Sequence, residues 1–195
     1  MIGFLRGKIV ERQPTQVLMD VQGVGYEVII PVSTYEKIQN EDGDITLMTY
    51  LHVREDAMQL FGFHTAEEKA LFLKLIQVNG VGPKVAIGVL SGCSVDEFKR
   101  SVREGDIARL KTLPGIGKKT AERIVLELKD KVDAVAGAAP AVGEDRPDRT
   151  VEEALLALVS LGYSKGQAEK IIQQLLREGA ERSVEELIRL ALQKM

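Results

Sequence analysis

The chain has no tryptophan, one cysteine and two histidines among its 195 residues. A single cysteine, Cys93, excludes an internal disulfide and a cysteine-based zinc site within one chain. Its expected role is a small buried apolar residue. His52 and His64 are too few for a histidine-rich metal site and both sit near strand-like segments, so neither a metal nor a cofactor is expected. No apolar run is long enough to span a bilayer. The opening Met-Ile-Gly-Phe-Leu-Arg-Gly-Lys lacks the charge-then-apolar order of a secretion signal. The expected location is therefore cytoplasmic, away from the membrane.

What the chain does contain is one phrase written twice. The first copy holds Asn79-Gly80-Val81-Gly82-Pro83-Lys84, and the second holds Pro114-Gly115-Ile116-Gly117-Lys118-Lys119, offset by 35 residues. An internal repeat sets architecture before any other feature, and two copies indicate a pair of related units rather than a solenoid. In each copy, apolar residues at helical spacing lead into Gly-x-Gly, and a second helix starts at once. Glycine reaches the positive φ of a tight turn at little cost, and Pro83 suits a first helical position. The first turn of the second helix carries free N–H groups and the positive end of the helix dipole. Phosphate can sit there, with Lys84, Lys118 and Lys119 adding Coulombic attraction. Such a helix-hairpin-helix grips a nucleic-acid backbone and reads no bases.

The net charge of −3 argues against DNA binding until it is divided along the chain. Residues 1–64 carry 5 basic and 9 acidic side chains, residues 65–131 carry 13 and 9, and residues 132–195 carry 8 and 11. The positive excess coincides with the repeat, and local charge within a Debye length governs attraction to phosphate.

The order of segments predicts a multidomain α+β protein. Residues 1–64 read as five short strands, at 2–10, 17–21, 26–30, 45–53 and 57–63, interrupted at 32–38 by a short helix or loop. An OB-type β-barrel fits, although composition does not separate it from another small barrel. Arg54-Glu55-Asp56 joins the last two strands. Two carboxylates at a hairpin tip are ordinarily solvated turn residues, and no third acid is placed to complete a nuclease site. Residues 65–131 form the tandem helix-hairpin-helix domain, with helices expected at 67–78, from Ser94 through Val102, at 107–113 and at 118–131. Residues 132–149 have the small and charged composition of a flexible linker. Residues 150–195 predict three helices, each opened by a capping-box spacing at Thr150, Ser164 or Ser183. Leu161-Gly162-Tyr163 resembles the signature loop of ubiquitin-associated three-helix folds, a module suited to docking a partner protein.

Together these strings resemble the RuvA family of Holliday-junction branch-migration proteins over the whole chain. Met1-Ile2-Gly3, Leu5-Arg6-Gly7, Gly23-Val24-Gly25-Tyr26-Glu27-Val28 and Val53-Arg54-Glu55-Asp56-Ala57 agree with that family's barrel, and both Gly-x-Gly phrases agree with its hairpins. The resemblance implies a homotetramer, or an octamer on DNA, that holds a four-way junction open. It implies phosphate contacts from Gly80, Gly82, Lys84, Gly115, Gly117, Lys118, Lys119 and Thr120, with Arg123 on the same helix added to the set. It implies that Glu55 and Asp56 form an acidic pin that repels crossover phosphates. It implies docking of the hexameric ATPase RuvB through the last module, with Leu158, Leu161 and Tyr163 as candidate contacts, and association with the junction resolvase RuvC. No catalysis by the chain itself is expected.

The residues agree that a motor must come from elsewhere. Gly115-Ile-Gly-Lys-Lys-Thr120 echoes a phosphate-binding loop, but Thr112 stands where a Walker A needs its first glycine, and Lys119 where it needs serine or threonine. Three other readings stand beside the leading one. A helix-hairpin-helix glycosylase or nuclease would need a base-accepting pocket, and little aromatic material follows the hairpins. A generic helix-hairpin-helix DNA-binding adaptor would lack junction specificity. A pure protein adaptor would use the hairpins only as structure.

Overall fold

The computed structural model describes residues 1–132, 147–178 and 183–194. Two units follow each other along the chain, one through the barrel and hairpins and one holding the last three helices.

The first half is the five-stranded OB-type barrel. Strands β1 (Phe4–Gln13), β2 (Gln16–Val21), β3 (Val24–Ile29), β4 (Asp44–Val53) and β5 (Met58–Phe63) close in the order β1-β2-β3-β5-β4, with helix α1 (Val32–Ile38) between β3 and β4. Side chains alternate across each strand, so Leu5, Val17, Met19, Val28, Ile45, Leu47 and Leu60 point inward and are buried. A β-bulge between Ile9 and Glu11 leaves Val10 outside and bends β1 toward closure. Two glycines let the wall draw tight. A Cβ on Gly7 would lie 2.1 Å from the Asp20 carbonyl oxygen, and one on Gly62 would lie 2.5 Å from Val28 Cγ1.

The hairpin domain is built on the barrel wall. It comprises α2 (Ala66–Leu75), α3 (Pro83–Gly92), α4 (Val95–Glu104), α5 (Ile107–Leu110) and α6 (Lys118–Leu128). Phe61 and Phe63 leave β5 to join its core, where Phe72 of α2 stacks at ring distances of 5.4 Å and 4.9 Å, and Tyr50 of β4 adds a third contact at 5.4 Å. The α5 helix ends at Leu110, three residues short of the expected stop, because Leu113 turns inward to the core as the second hairpin begins. Val132, expected to open the linker, is fully buried in this same core. Cys93, expected to be buried, is only half-buried. Its thiol donates to the Val89 carbonyl at 3.6 Å, and burial, reinforced by Glu97 and opposed by Arg109, pushes its pKa up to about 11.

One buried acid fastens the two layers. Glu68, 3% exposed, accepts from Ser33 Oγ at 2.8 Å, Thr34 Oγ1 at 3.0 Å, the His64 N–H at 3.0 Å and the Thr65 N–H at 3.3 Å. Lys37 lies 3.8 Å away. Its donors come from α1, from the end of β5 and from the cap of α2. The Thr65 side chain in turn accepts from the Glu68 N–H, completing a reciprocal capping box. A buried carboxylate is tolerable only when its lone pairs are filled this way.

The last unit contains α7 (Pro147–Ser160), α8 (Lys165–Arg177) and α9 (Val184–Lys194) around Ala154, Leu158, Ala168, Ile172, Leu175, Leu187 and Ala191. Ser164 and Gln167 form the expected capping box, and the Ser183 hydroxyl accepts from the Glu186 N–H. Thr150 does not start a helix. Pro147 does, three residues earlier, and the Thr150-x-x-Glu153 spacing falls inside α7. Of the expected linker, residues 133–146 lie outside the described residues.

Glu68→Ala removes the acceptor shared by two hydroxyls and two N–H groups, the Thr34 hydroxyl among them fully buried, and is expected to cost about 2 kcal/mol. A urea unfolding midpoint read on both barrel and helical probes checks this.

Candidate nucleic-acid interface

Helix N-termini are normally closed by a side-chain oxygen. Here Thr65 closes α2, Ser94 closes α4, Asp106 closes α5, Ser164 closes α8 and Ser183 closes α9. The α1 helix follows Pro31 and borrows Ser91 Oγ, which accepts from the Val32 N–H at 3.0 Å. The α3 and α6 helices are different. Their N-caps are Gly82 and Gly117, and neither has a side-chain cap. Their first-turn N–H groups have no intrahelical acceptor.

The two turns match in geometry. Gly80 and Gly115 take φ of 91° and 78°, the left-handed region that favours glycine. The Val81 N–H closes the first turn onto the Val78 carbonyl at 3.0 Å, and the Ile116 N–H closes the second onto Leu113 at 3.1 Å. Gly82 and Gly117 have φ/ψ of −89°/172° and −87°/173°, ordinary extended backbone. A Cβ on either would meet nothing within 4 Å. Nothing among the described residues requires glycine at these two positions. The open space in front of uncapped amides is what an anion needs.

The expected lysines stand on the same first turns. Lys84, Lys118 and Lys119 are exposed, and Thr120 is half-buried on the first turn of α6. Lys118 lies 4.0 Å from Glu122, an exposed pair that leaves the ammonium accessible to an anion. Arg123 is exposed too, yet its guanidinium is engaged: Nη1 donates to the Asn79 carbonyl at 3.3 Å and to Asn79 Oδ1 at 3.2 Å. The hairpins also interlock in the opposite direction. A Cβ on Gly88 would lie 3.2 Å from Pro114 Cβ, and one on Gly92 would lie 3.0 Å from Leu113 Cδ2. These spacer glycines, one helical turn apart on α3, were not singled out as functional by sequence reasoning. The Gly88-x-x-x-Gly92 spacing was the available signal.

Ser94-Val95-Asp96-Glu97 has the spacing of a capping box that is only half formed. The Ser94 hydroxyl accepts from the Glu97 N–H, but the Glu97 carboxylate takes the Arg109 guanidinium at 2.6 Å and 3.0 Å instead of returning to the cap. That pair ties α4 to α5 beneath the second hairpin.

Glu55 and Asp56 occupy the tip of the β4–β5 hairpin, exposed, where the Arg54 N–H closes the turn onto the Ala57 carbonyl at 2.8 Å. Neither forms an ion pair among the described residues. In the last unit, Leu161 is 59% exposed and Tyr163 is half-buried against the core. Leu158 is corrected: it is 0% exposed, a packing residue on the inner face of α7. The outward apolar residues of that helix are Leu156 and Val159, which the consecutive Leu-Leu-Ala-Leu-Val run had concealed.

Gly82→Ser and Gly117→Ser, made together, are expected to leave folding unchanged or stabilise it by a few tenths of a kcal/mol, since serine is a good N-cap. The new hydroxyls occupy the amides, so DNA affinity is expected to fall. Thermal unfolding and a DNA titration on the same preparation separate the two effects.

Comparison with known proteins agrees with this geometry along the chain. The family model described as the RuvA N-terminal domain matches residues 1–62, a SAM-like helix-hairpin-helix tandem matches residues 72–130, and the RuvA C-terminal domain matches residues 149–195. Among similar proteins, the Holliday junction branch migration complex subunit RuvA of Thioalkalivibrio sulfidiphilus is 50% identical, over 98% of both chains. The proteins of the same name from Solibacter usitatus and Nitrosococcus oceani are 45% and 44% identical, covering 99% and 100% of this chain and 98% and 100% of their own. A barrel, a tandem of uncapped hairpins and a three-helix module, matched end to end by such relatives, place this chain in the RuvA family.

Proposed function

We propose that this chain binds four-way DNA junctions and serves as the DNA-holding subunit of a branch-migration complex. The observation that carries the reading is the pair of glycine-led, uncapped helix N-termini with matching backbone geometry, both flanked by exposed lysines. Each offers one phosphate seat, built from Gly80, Gly82 and Lys84 in the first hairpin and from Gly115, Gly117, Lys118, Lys119 and Thr120 in the second. Backbone amides recognise phosphate whatever the base, so sequence independence follows. The relatives' shared name supports the junction as the preferred DNA form.

Junction preference needs more than two phosphate seats, because duplex DNA also supplies phosphates. We assign that selectivity to Glu55 and Asp56. Their fixed negative charge repels phosphates from the hairpin tip and favours a DNA form whose strands diverge around it. Four-fold assembly would gather the tips at the centre of an open junction, with a tetramer on one face or an octamer on both. The chain is assigned no catalysis of its own. Translocation would come from the RuvB hexameric ATPase, docked through the last module at Leu161, Tyr163 and the neighbouring Leu156 and Val159. RuvC would act on the same held junction.

Two measurements test this reading. Titration against a four-way junction and a duplex of the same arm sequence, over a salt series without ATP, should give tight, salt-sensitive binding that prefers the junction. Replacing Lys84, Lys118 and Lys119 by alanine is expected to flatten the log–log salt slope by about 0.9 for each phosphate no longer neutralised. An unchanged slope would remove the phosphate seats. In the second, Glu55→Gln with Asp56→Asn is expected to keep or tighten junction binding while the preference over duplex shrinks. Undiminished preference would sink the pin assignment.

A further inference from the structure

The 35-residue offset relating the hairpins pairs Asn79 with Pro114 and Gly88 with Arg123. The folded chain joins these positions crosswise. Position 88 on α3 meets position 114 in the second turn, by the close approach of Gly88 to Pro114. Position 123 on α6 meets position 79 in the first turn, by the two hydrogen bonds from Arg123 to Asn79. One pseudo-symmetric contact is thus made with two chemistries, van der Waals packing on one side and a long polar tether on the other.

The asymmetry extends to the turns themselves. A Cβ at Gly115 would lie 3.2 Å from Val85 Cγ2, and Gly92 packs just as closely on Leu113, so the second turn is enclosed by α3. A Cβ at Gly80 would meet nothing within 4 Å. The residue related to Val85 by the offset is Thr120, and it does not reach that space. The first turn therefore lacks the packing that fixes the second.

We propose that Arg123 is a positioning residue for DNA binding. By tethering Asn79, the residue immediately before Gly80, it fixes the first phosphate seat relative to the second instead of contacting phosphate itself. The inference rests on the phosphate-seat reading of both turns. Two grooves that grip one backbone act together only when their spacing is set beforehand, since a loose seat must be ordered at the moment of binding.

The experiment uses the full chain with Arg123→Ala, Asn79→Ala, the two combined, and Arg123→Lys. In the protein without DNA, amide exchange at Val81 reports closure of the first turn, and exchange at Ile116 reports the second as an internal control. Arg123→Ala is expected to speed exchange at Val81 and leave Ile116 unchanged, and Asn79→Ala, which keeps the backbone carbonyl acceptor, is expected to do the same to a smaller extent. Junction affinity is expected to fall roughly three- to tenfold in Arg123→Ala, as for net loss of an ordinary exposed hydrogen bond, and by less in Asn79→Ala, with the salt slope preserved in both. The combined variant is expected to bind no more weakly than Arg123→Ala, the signature of residues acting as one unit. Lysine carries the charge on a shorter side chain whose nitrogen does not extend as far as Nη1, so Arg123→Lys is expected to behave like alanine.

An Arg123→Ala protein that loses about 0.9 of salt slope, is rescued by lysine and keeps its Val81 exchange would overturn the proposal and make Arg123 a phosphate ligand. Unchanged affinity in Arg123→Ala would overturn it also. If the unmutated chain binds neither junction nor duplex, the functional reading fails by itself. The exchange comparison still decides whether Arg123 holds the turn.

Discussion

An amide N–H at the start of a helix must find an acceptor, and at two places among the described residues this chain supplies no side chain to provide one. Six other helices satisfy that demand with a serine, threonine or aspartate oxygen, one of them borrowed from a neighbouring helix. The α3 and α6 helices begin behind glycine with open space ahead. Leaving donors unmet costs stability unless solvent or a ligand completes them. Much of the surrounding structure follows from keeping those two ends open and in place. The positive-φ glycines make the turns tight enough to present them. The Gly88 and Gly92 face lets α3 seat against the second turn, and the Glu97–Arg109 pair braces the helices beneath it.

The barrel's contribution is rigidity of reference. Its β4–β5 hairpin carries the acidic tip, and the same two strands supply Tyr50, Phe61 and Phe63 to the core of the hairpin domain. Glu68 then locks α1, the end of β5 and α2 into one hydrogen-bonded knot. Attractive and repulsive elements thus sit on one body. An acidic chain can bind a polyanion under these conditions, because its 13 basic residues against 9 acidic ones between positions 65 and 131 set the near field.

The features legible in the sequence were those encoded locally. Strand alternation gave all five strands, and the short 32–38 segment proved helical. The glycine repeat located both turns, because no other residue serves positions 80 and 115 equally well. Thr150 misled because a capping-box spacing is only a permission, and Pro147, with its φ already helical, starts α7 first. Leu158 misled because five consecutive apolar residues, Leu155 to Val159, fill more than one turn of α7, and only the final packing decides which face is inner. The partners of Glu97, Glu68 and Arg123 were illegible for a common reason. Arg109 for Glu97, Ser33 and Thr34 for Glu68, and Asn79 for Arg123 each lie 12 or more residues away in sequence, and no local pattern specifies a side-chain contact at that separation.

The central claim is that backbone amides at both turns hold phosphate. Amides at an uncapped helix start exchange quickly in the free protein, so protection there is a sensitive report of an acceptor arriving. The most direct measurement is amide hydrogen exchange across residues 80–86 and 115–121, with and without a saturating four-way junction. The account predicts new protection at both stretches, of similar size, that fades as salt displaces the DNA. Protection confined to the barrel or the last module, with both turns exchanging as freely as before, would contradict it.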